Sequence, residues 1–325
     1  MSETQFAQAL EAALVAHVDG AVAVHSLTRL SGGASQETWA FTLETRSGDR
    51  PLILRRPPGG GVAPQLAVEA AAIGAARANG VPAPEIVYLL KPEDGAGDGY
   101  VMARVEGETL ARRILRDPVF DGVRPGLAAQ CGQVLARLHA TNVESLTTLD
   151  VLDGPAQLRQ FRQRYEAYDQ PKPVFELAFV WLADRLTAPR RLSLVHGDFR
   201  HGNLMIHPET GLASVLDWEL THVGDPLEDI GWMCVNAWRF GQIDKPVGGF
   251  GRLEDLLDAY AAAGGEPWTP EQVKVWEVLG TLKWGIMCMS MYEIFRTGAD
   301  RSVERAAIGR RSSETEIDLL NLILD

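Results

Sequence analysis

The stretch Leu194-Val195-His196-Gly197-Asp198-Phe199-Arg200-His201-Gly202-Asn203-Leu204-Met205-Ile206 decides how the rest of the chain is read. Apolar residues at its two ends have strand character, and the polar residues between them form a loop carried by two strands. Inside that loop Asp198 is followed, after four intervening residues, by Asn203. A further apolar run, Leu212-Ala213-Ser214-Val215-Leu216, ends at Asp217-Trp218-Glu219. The turn Pro208-Glu209-Thr210-Gly211 folds this run back, which predicts that Asn203 and Asp217 lie near one end of a hairpin.

The D-x-x-x-x-N spacing is that of a phosphoryl-transfer loop. Such chemistry needs a carboxylate to orient the attacking hydroxyl and take its proton, and a neutral oxygen donor for the metal that holds the phosphates. Asp198 supplies the first group and Asn203 the second, with Asp217 as a further oxygen ligand for Mg²⁺. Competing chemistries find less support. His196, His201, His207 and His222 fit no H-E-x-x-H pattern and are joined by no paired cysteines, which argues against catalytic zinc. His196 is expected to brace the loop. Ser193, Ser214 and Thr221 lack a G-x-S-x-G context, so a serine hydrolase is not indicated.

Outward from this loop, residues 1–100 mix strand and helix signals. Phe6, Leu10, Ala13 and Leu14 predict an amphipathic helix, followed by strands over 21–30, 37–44 and 51–55. An Ala-rich helix is expected over 65–79, then strands over 86–90 and 100–105. Beyond Gly107 helical patterns dominate, over 127–140, 155–168, 174–186, 253–263, 270–296 and 301–324, and one β island, 192–217, interrupts them. The expectation is a small sheet-rich lobe joined near 102–107 to a larger helical one.

The chain has 325 residues, a formal charge of −12 and 46% hydrophobic residues, an ordinary globular composition. The acidic excess argues against general binding to nucleic acid or to an anionic membrane, while leaving room for a local anion site. Glu277, Lys283 and Glu293 interrupt the best apolar stretch, so no membrane span is expected. The N-terminal segment lacks the basic start and unbroken apolar core of a secretory signal. Cys131, Cys234 and Cys288 are too few and too scattered for a disulfide framework. These features together predict a cytoplasmic setting.

His196-Gly197-Asp198 with Asn203, then Asp217-Trp218-Glu219, then Gly224-Asp225-Pro226 resembles the aminoglycoside phosphotransferase and choline kinase superfamily. More narrowly, the chain is similar to bacterial phosphotransferases related to the kinase-like domains fused to acyl-CoA dehydrogenases. The resemblance spans roughly 30–320. It implies an α+β, protein-kinase-like bilobal fold: a nucleotide-binding lobe over 1–105 and a catalytic and acceptor-binding lobe over 106–325.

Further roles follow from the resemblance. The loop Ser31-Gly32-Gly33-Ala34-Ser35 would cover the phosphates, with Gly32, Gly33 and Ser35 as contacts. Arg55 stands where the family has a phosphate-pairing Lys, with Arg56 as the alternative, since alternation puts the two on opposite faces. Glu69 would ion-pair with that cation, and main-chain groups around Met102 to Arg104 would meet the adenine edge. Asp229 is implied to tie down the catalytic loop. The implied partners are ATP, Mg²⁺ and a small-molecule hydroxyl acceptor, in a monomer or homodimer. The apolar, aromatic run after Asp229 contains a single Arg239 and suggests an apolar hydroxylated acceptor carrying an acid or acyl group near Arg239. The alternatives are an aminoglycoside or amino-alcohol kinase, and a nucleotide-binding pseudokinase without chemistry. A true protein kinase is disfavoured, because no A-P-E segment follows Asp217.

Overall fold

The computed structural model describes residues 2–30, 36–188 and 191–324. Helix α1 (Glu3–His17) opens with a capping box between Ser2 and Gln5 and buries Phe6, Leu10, Ala13 and Leu14, the stripe its spacing predicts. Strands β1 (Ala21–Leu30), β2 (Glu37–Thr45), β3 (Gly48–Arg56), β4 (Ile86–Leu89) and β5 (Tyr100–Ala103) form an antiparallel sheet in the order β1-β2-β3-β5-β4. Helix α2 (Gln65–Ala78) lies between β3 and β4 in sequence and packs on β4 and β5.

The period-2 alternation of the strands divides this sheet into two cores. Trp39, Phe41, Leu43, Leu52, Leu54 and Val101 pack with the α1 stripe. On the other face Ala40, Ile53 and Met102 join α2 and the core that continues into the larger lobe. Arg56 follows Leu54 on the α1 face, while Arg55 follows Ile53 on the face toward the larger lobe.

The connection between lobes is pinned by Glu108 and Ile206, whose main chains exchange two hydrogen bonds of 2.9 Å. The larger lobe contains α3 (Ala111–Arg116), α4 (Leu127–His139), α5 (Gly154–Glu166), α6 (Pro173–Ala183), α7 (Leu227–Cys234), α8 (Leu253–Ala262) and α9 (Pro270–Thr297). It closes with α10 (Val303–Gly309) and α11 (Ser312–Leu324). A single helix was expected over 301–324. The chain instead breaks after Gly309, where any side chain would sit 2.8 Å from the Tyr292 backbone of α9. The β island resolves into two antiparallel pairs, β6 (Ser193–Val195) with β9 (His222–Gly224) and β7 (Leu204–His207) with β8 (Gly211–Val215). β9 lies beyond the stretch expected to be extended.

Long α9 runs through the centre of this lobe and packs on α7. Gly231 permits that approach, since a Cβ there would meet Trp276 Cβ at 2.5 Å. Cys131, Cys234 and Cys288 are unbridged and buried in α4, α7 and α9. Among the described residues no helix is long and apolar enough to cross a membrane.

Candidate active site

The loop between β6 and β7 is fixed from below by one carboxylate. Asp229, in the first turn of α7 and fully buried, accepts the Gly197 N–H on Oδ1 at 2.9 Å and the His196 N–H on Oδ2 at 2.8 Å. His139 from α4 also reaches Oδ2, with its Nε2 at 3.2 Å, and its Nδ1 pairs with the Tyr260 hydroxyl at 2.9 Å. Burial pushes the Asp229 carboxyl up, but His139 and the His196 amide outweigh it and hold the group below its ordinary value. The tie between Asp229 and the loop is thus present in the structure.

Gly197 has φ +76°, and a Cβ there would lie 2.5 Å from the Leu220 carbonyl oxygen, so this turn needs glycine. From the other side, Lys283 of α9 donates to the Gly197 carbonyl at 2.9 Å. The Asp198 amide donates to His196 Nδ1 at 3.2 Å, which leaves Nε2 to carry the ring proton and donate to Leu216 O at 3.0 Å. His196 therefore braces the loop against the segment leading to Asp217.

Asp198 carries four donors. Arg200 forks onto it, Nε to Oδ1 at 3.0 Å and Nη2 to Oδ2 at 3.1 Å. Trp232 Nε1 donates to Oδ1 at 2.7 Å, and Asn203 Nδ2 to Oδ2 at 2.7 Å. The carboxylate is oriented by a loop neighbour, by α7 and by the residue that closes the loop. Arg200 also lies over the Trp238 ring at 4.6 Å. The sequence alone marks neither Arg200 nor Lys283 as a site residue. The position of Arg200 two residues after Asp198 was a usable signal, whereas Trp232 and Lys283 reach the loop only through tertiary packing.

Asn203 and Asp217 meet as the hairpin spacing predicts: Leu204 pairs with Val215, and the Leu216 amide donates to Asn203 O at 2.7 Å. Asp217 has φ 62°, a left-handed conformation that a non-glycine residue adopts at a cost and that recurs at functional sites. Asn203 Oδ1 has no hydrogen-bond partner among the described residues. The main-chain pairing brings an amide and a carboxylate residue to one end of the hairpin, and both carry hard oxygen donors of the kind that suits Mg²⁺ completed by phosphate oxygens and water. Among the described residues no group of three or more His, Cys, Asp or Glu could hold a metal by itself.

The cation facing this pair is Arg55. Its Nη2 donates to Asp217 Oδ1 at 2.8 Å and its Nε to Gln36 Oε1 at 2.8 Å, with Glu69 Oε1 4.0 Å away. Glu69 is buried and accepts from the Tyr100 hydroxyl at 2.7 Å and from Gln36 at 3.3 Å. Arg56 points the other way, bonded to Glu37 at 2.9 Å and stacked 3.6 Å over Phe6 of α1. Of the two, Arg55 is the one on the side of Asp217.

Met102 is buried in β5 between Ile53 and Ile86. The Ala103 and Arg104 amides are already donated, to Glu85 O at 2.9 Å and Pro51 O at 3.1 Å, so Arg104 has no main-chain donor left for a base. Val105 N–H has no partner among the described residues. Gly32, Gly33 and Ser35 lie outside the described residues.

The expectation for Arg239 needs correction. Its guanidinium is buried against Glu277, Nη2 to Oε1 at 2.6 Å, and also donates to Cys234 O. A cation so satisfied is not available to an acid group of a ligand. Trp232, which donates to Asp198, belongs instead to an apolar cluster with Val235 and Trp238, on which Trp284 and Met287 pack.

Comparison with known proteins shows the family and the fold. The model of the phosphotransferase enzyme family matches residues 26–276. The chain is 32% identical over 242 residues to mouse acyl-CoA dehydrogenase family member 10, covering 69% of this chain and 22% of that protein. It is 29% identical over 330 residues to chicken acyl-CoA dehydrogenase family member 11, covering 90% of this chain and 40% of the relative. It thus spans well under half the length of these curated relatives. Among solved structures, a Ralstonia eutropha protein assigned as an aminoglycoside phosphotransferase superposes with TM-score 0.78 at 22% identity, covering 97% of each chain. Choline kinase from Cryptosporidium parvum superposes with TM-score 0.61 at 10% identity, covering 97% of this chain and 94% of that one. The fold is the kinase-like one.

Proposed function

The chain belongs to the phosphotransferase enzyme family, and we propose that it transfers the γ-phosphoryl group of ATP to a hydroxyl of a small, apolar or acyl-bearing molecule. The observation that carries this reading is the four-donor setting of Asp198 beside the Asn203 and Asp217 oxygen pair. Asp198 orients the acceptor hydroxyl and takes its proton once Arg200 gives up part of its fork. Asn203 keeps one hand on Asp198 through Nδ2 and offers Oδ1 outward. Asp217 and Asn203 would hold Mg²⁺, which when bound neutralises charge on the phosphates. Arg55, released from Asp217 and steadied by Gln36 and Glu69, pairs with the nucleotide phosphates. A structural neighbour, an aminoglycoside 2'-phosphotransferase, was solved as a GDP complex, which supports nucleotide binding.

The acceptor class rests on the aromatic cluster at Asp198. A polycationic aminoglycoside needs several free carboxylates, and the side chains that contact Asp198 are Arg200, Asn203 and Trp232. The acyl-CoA dehydrogenase names of the relatives support a hydroxylated acyl acceptor. ADP release should be followed across hydroxyacyl compounds, amino alcohols, sugars and antibiotics. Turnover with hydroxyacyl compounds that vanishes in Asp198→Asn is expected; turnover with aminoglycosides alone overturns the acceptor class. Nucleotide binding without turnover on any hydroxyl compound favours the pseudokinase.

A further inference from the structure

A cavity of about 670 Å³ lies among the ends of α4, α7, α8 and α9, and none of Asp198, Asn203, Asp217 or Arg55 lines it. Its walls include His139, Asp225, Tyr260, Trp268, Val275 and Trp276. The volume is in the range of small-molecule sites.

Asp225 is the unusual wall residue. It is only 5% exposed. Oδ1 accepts the Leu227 N–H at 2.9 Å, while Oδ2 has no partner, and the side chain has no ion pair, among the described residues. Burial pushes its carboxyl up to about 6, the Leu227 amide and the nearby His139 working against the rise and Glu228 and Glu266 adding to it, so at neutral pH it is largely ionised. Arg185 and Arg191 also line the cavity, and neither pairs with Asp225 among the described residues. His139 is held between Tyr260 and Asp229, and Arg185 donates to Trp181 O at 3.1 Å while lying 4.3 Å over the Trp181 ring. Arg191 is exposed. Water in the cavity could complete the hydrogen bonding of Oδ2 but would leave the carboxylate without an ion-pair partner among the described residues, a costly arrangement for a buried charge.

The rest of the wall suggests what would oppose it. Tyr260, Trp268 and Trp276 with Val275 and Leu227 offer apolar and aromatic surface, which suits a hydrophobic body and attracts a cation. We propose that this cavity binds a small primary ammonium compound with an aromatic or apolar body, its ammonium donating to Asp225 Oδ2. The site is separate from the acceptor position at Asp198 and does not depend on the reaction assigned to it.

Three probes that differ in charge but share a ring test this: benzylamine, benzyl alcohol and benzoate, titrated into the full chain by calorimetry and thermal unfolding. Benzylamine alone should bind and raise Tm. Asp225→Asn should weaken it at least tenfold, and so should Val275→Phe, which narrows the cavity without touching the carboxylate. Folding of both variants is checked by circular dichroism. Asp198→Asn should bind benzylamine within twofold of the unaltered chain. Equal binding of all three probes, preference for benzoate through Arg185 and Arg191, loss of binding in Asp198→Asn, or no binding at all overturns the proposal.

Discussion

Replacing Asp229 by Asn keeps the shape of the side chain and removes its ability to serve three donors. Gly197 N–H needs an acceptor at Oδ1, and His196 N–H and His139 Nε2 need one at Oδ2. An asparagine has one oxygen and one NH₂. With the oxygen toward His196 and His139, the NH₂ faces the Gly197 N–H; turned over, it faces two donors. The milder case loses one charge-assisted hydrogen bond, about 1.5–3 kcal/mol, and leaves a buried donor unmade at about 1–3 kcal/mol. The expected loss is therefore roughly 2.5–6 kcal/mol, a large part of the ~5–15 kcal/mol that holds an ordinary domain. Urea unfolding at pH 7, followed by far-UV circular dichroism, measures it. The acid dependence gives a second handle. The folded Asp229 carboxyl lies below its ordinary 3.8, so its contribution is complete above that pH and fades as pH falls through it. The gap between parent and variant should be full at pH 7 and shrink below about pH 4. A loss under about 1 kcal/mol at pH 7 would refute the view that Asp229 suspends the loop.

Arg56→Gln breaks a buried pair with Glu37 and should cost about 3–5 kcal/mol in denaturant unfolding. Arg55→Gln should instead raise KM for Mg-ATP at least tenfold with a smaller change in stability; the reverse pattern would reassign the two. Trp232→Phe removes one donor from Asp198, worth about 1.5 kcal/mol, so kcat should fall roughly tenfold while KM for ATP holds. Asp225 titrates near 6 when folded and near 3.8 when unfolded, so its burial costs nothing below pH 4 and progressively more as pH rises through 6. Asp225→Asn should accordingly gain stability relative to the parent by up to about 3 kcal/mol between pH 4 and pH 7, read from unfolding free energies at the two pH values.

What could be read in advance was local. Asp198, Asn203 and Asp217 sit on one loop and one hairpin, so spacing alone brings them together, and the glycine at 197 announces the turn. Strand alternation established that Arg55 and Arg56 diverge but not which faces the larger lobe. That required α1 to cover one side of the sheet with Phe6. Arg239 was misjudged because its partner Glu277 is 38 residues away on another helix, and nothing in the intervening sequence announces the pairing. The break between α10 and α11 was hidden for a related reason. Gly309 is a tolerable residue in an isolated helix, and its position matters only because Tyr292 lies against it.

The three cysteines give the chain a built-in chemical clock. Each is sealed inside a different helix of the larger lobe, and burial raises every thiol further from the reactive thiolate. The folded protein should ignore a maleimide or an aromatic disulfide reagent, and labelling can proceed only when the helical lobe opens. Trp39 is the sheet lobe's one tryptophan against seven in the helical lobe, so the fluorescence difference between the parent and Trp39→Phe reports on the other half of the molecule. Following both signals in one denaturation series would show whether the two lobes come apart together or one after the other.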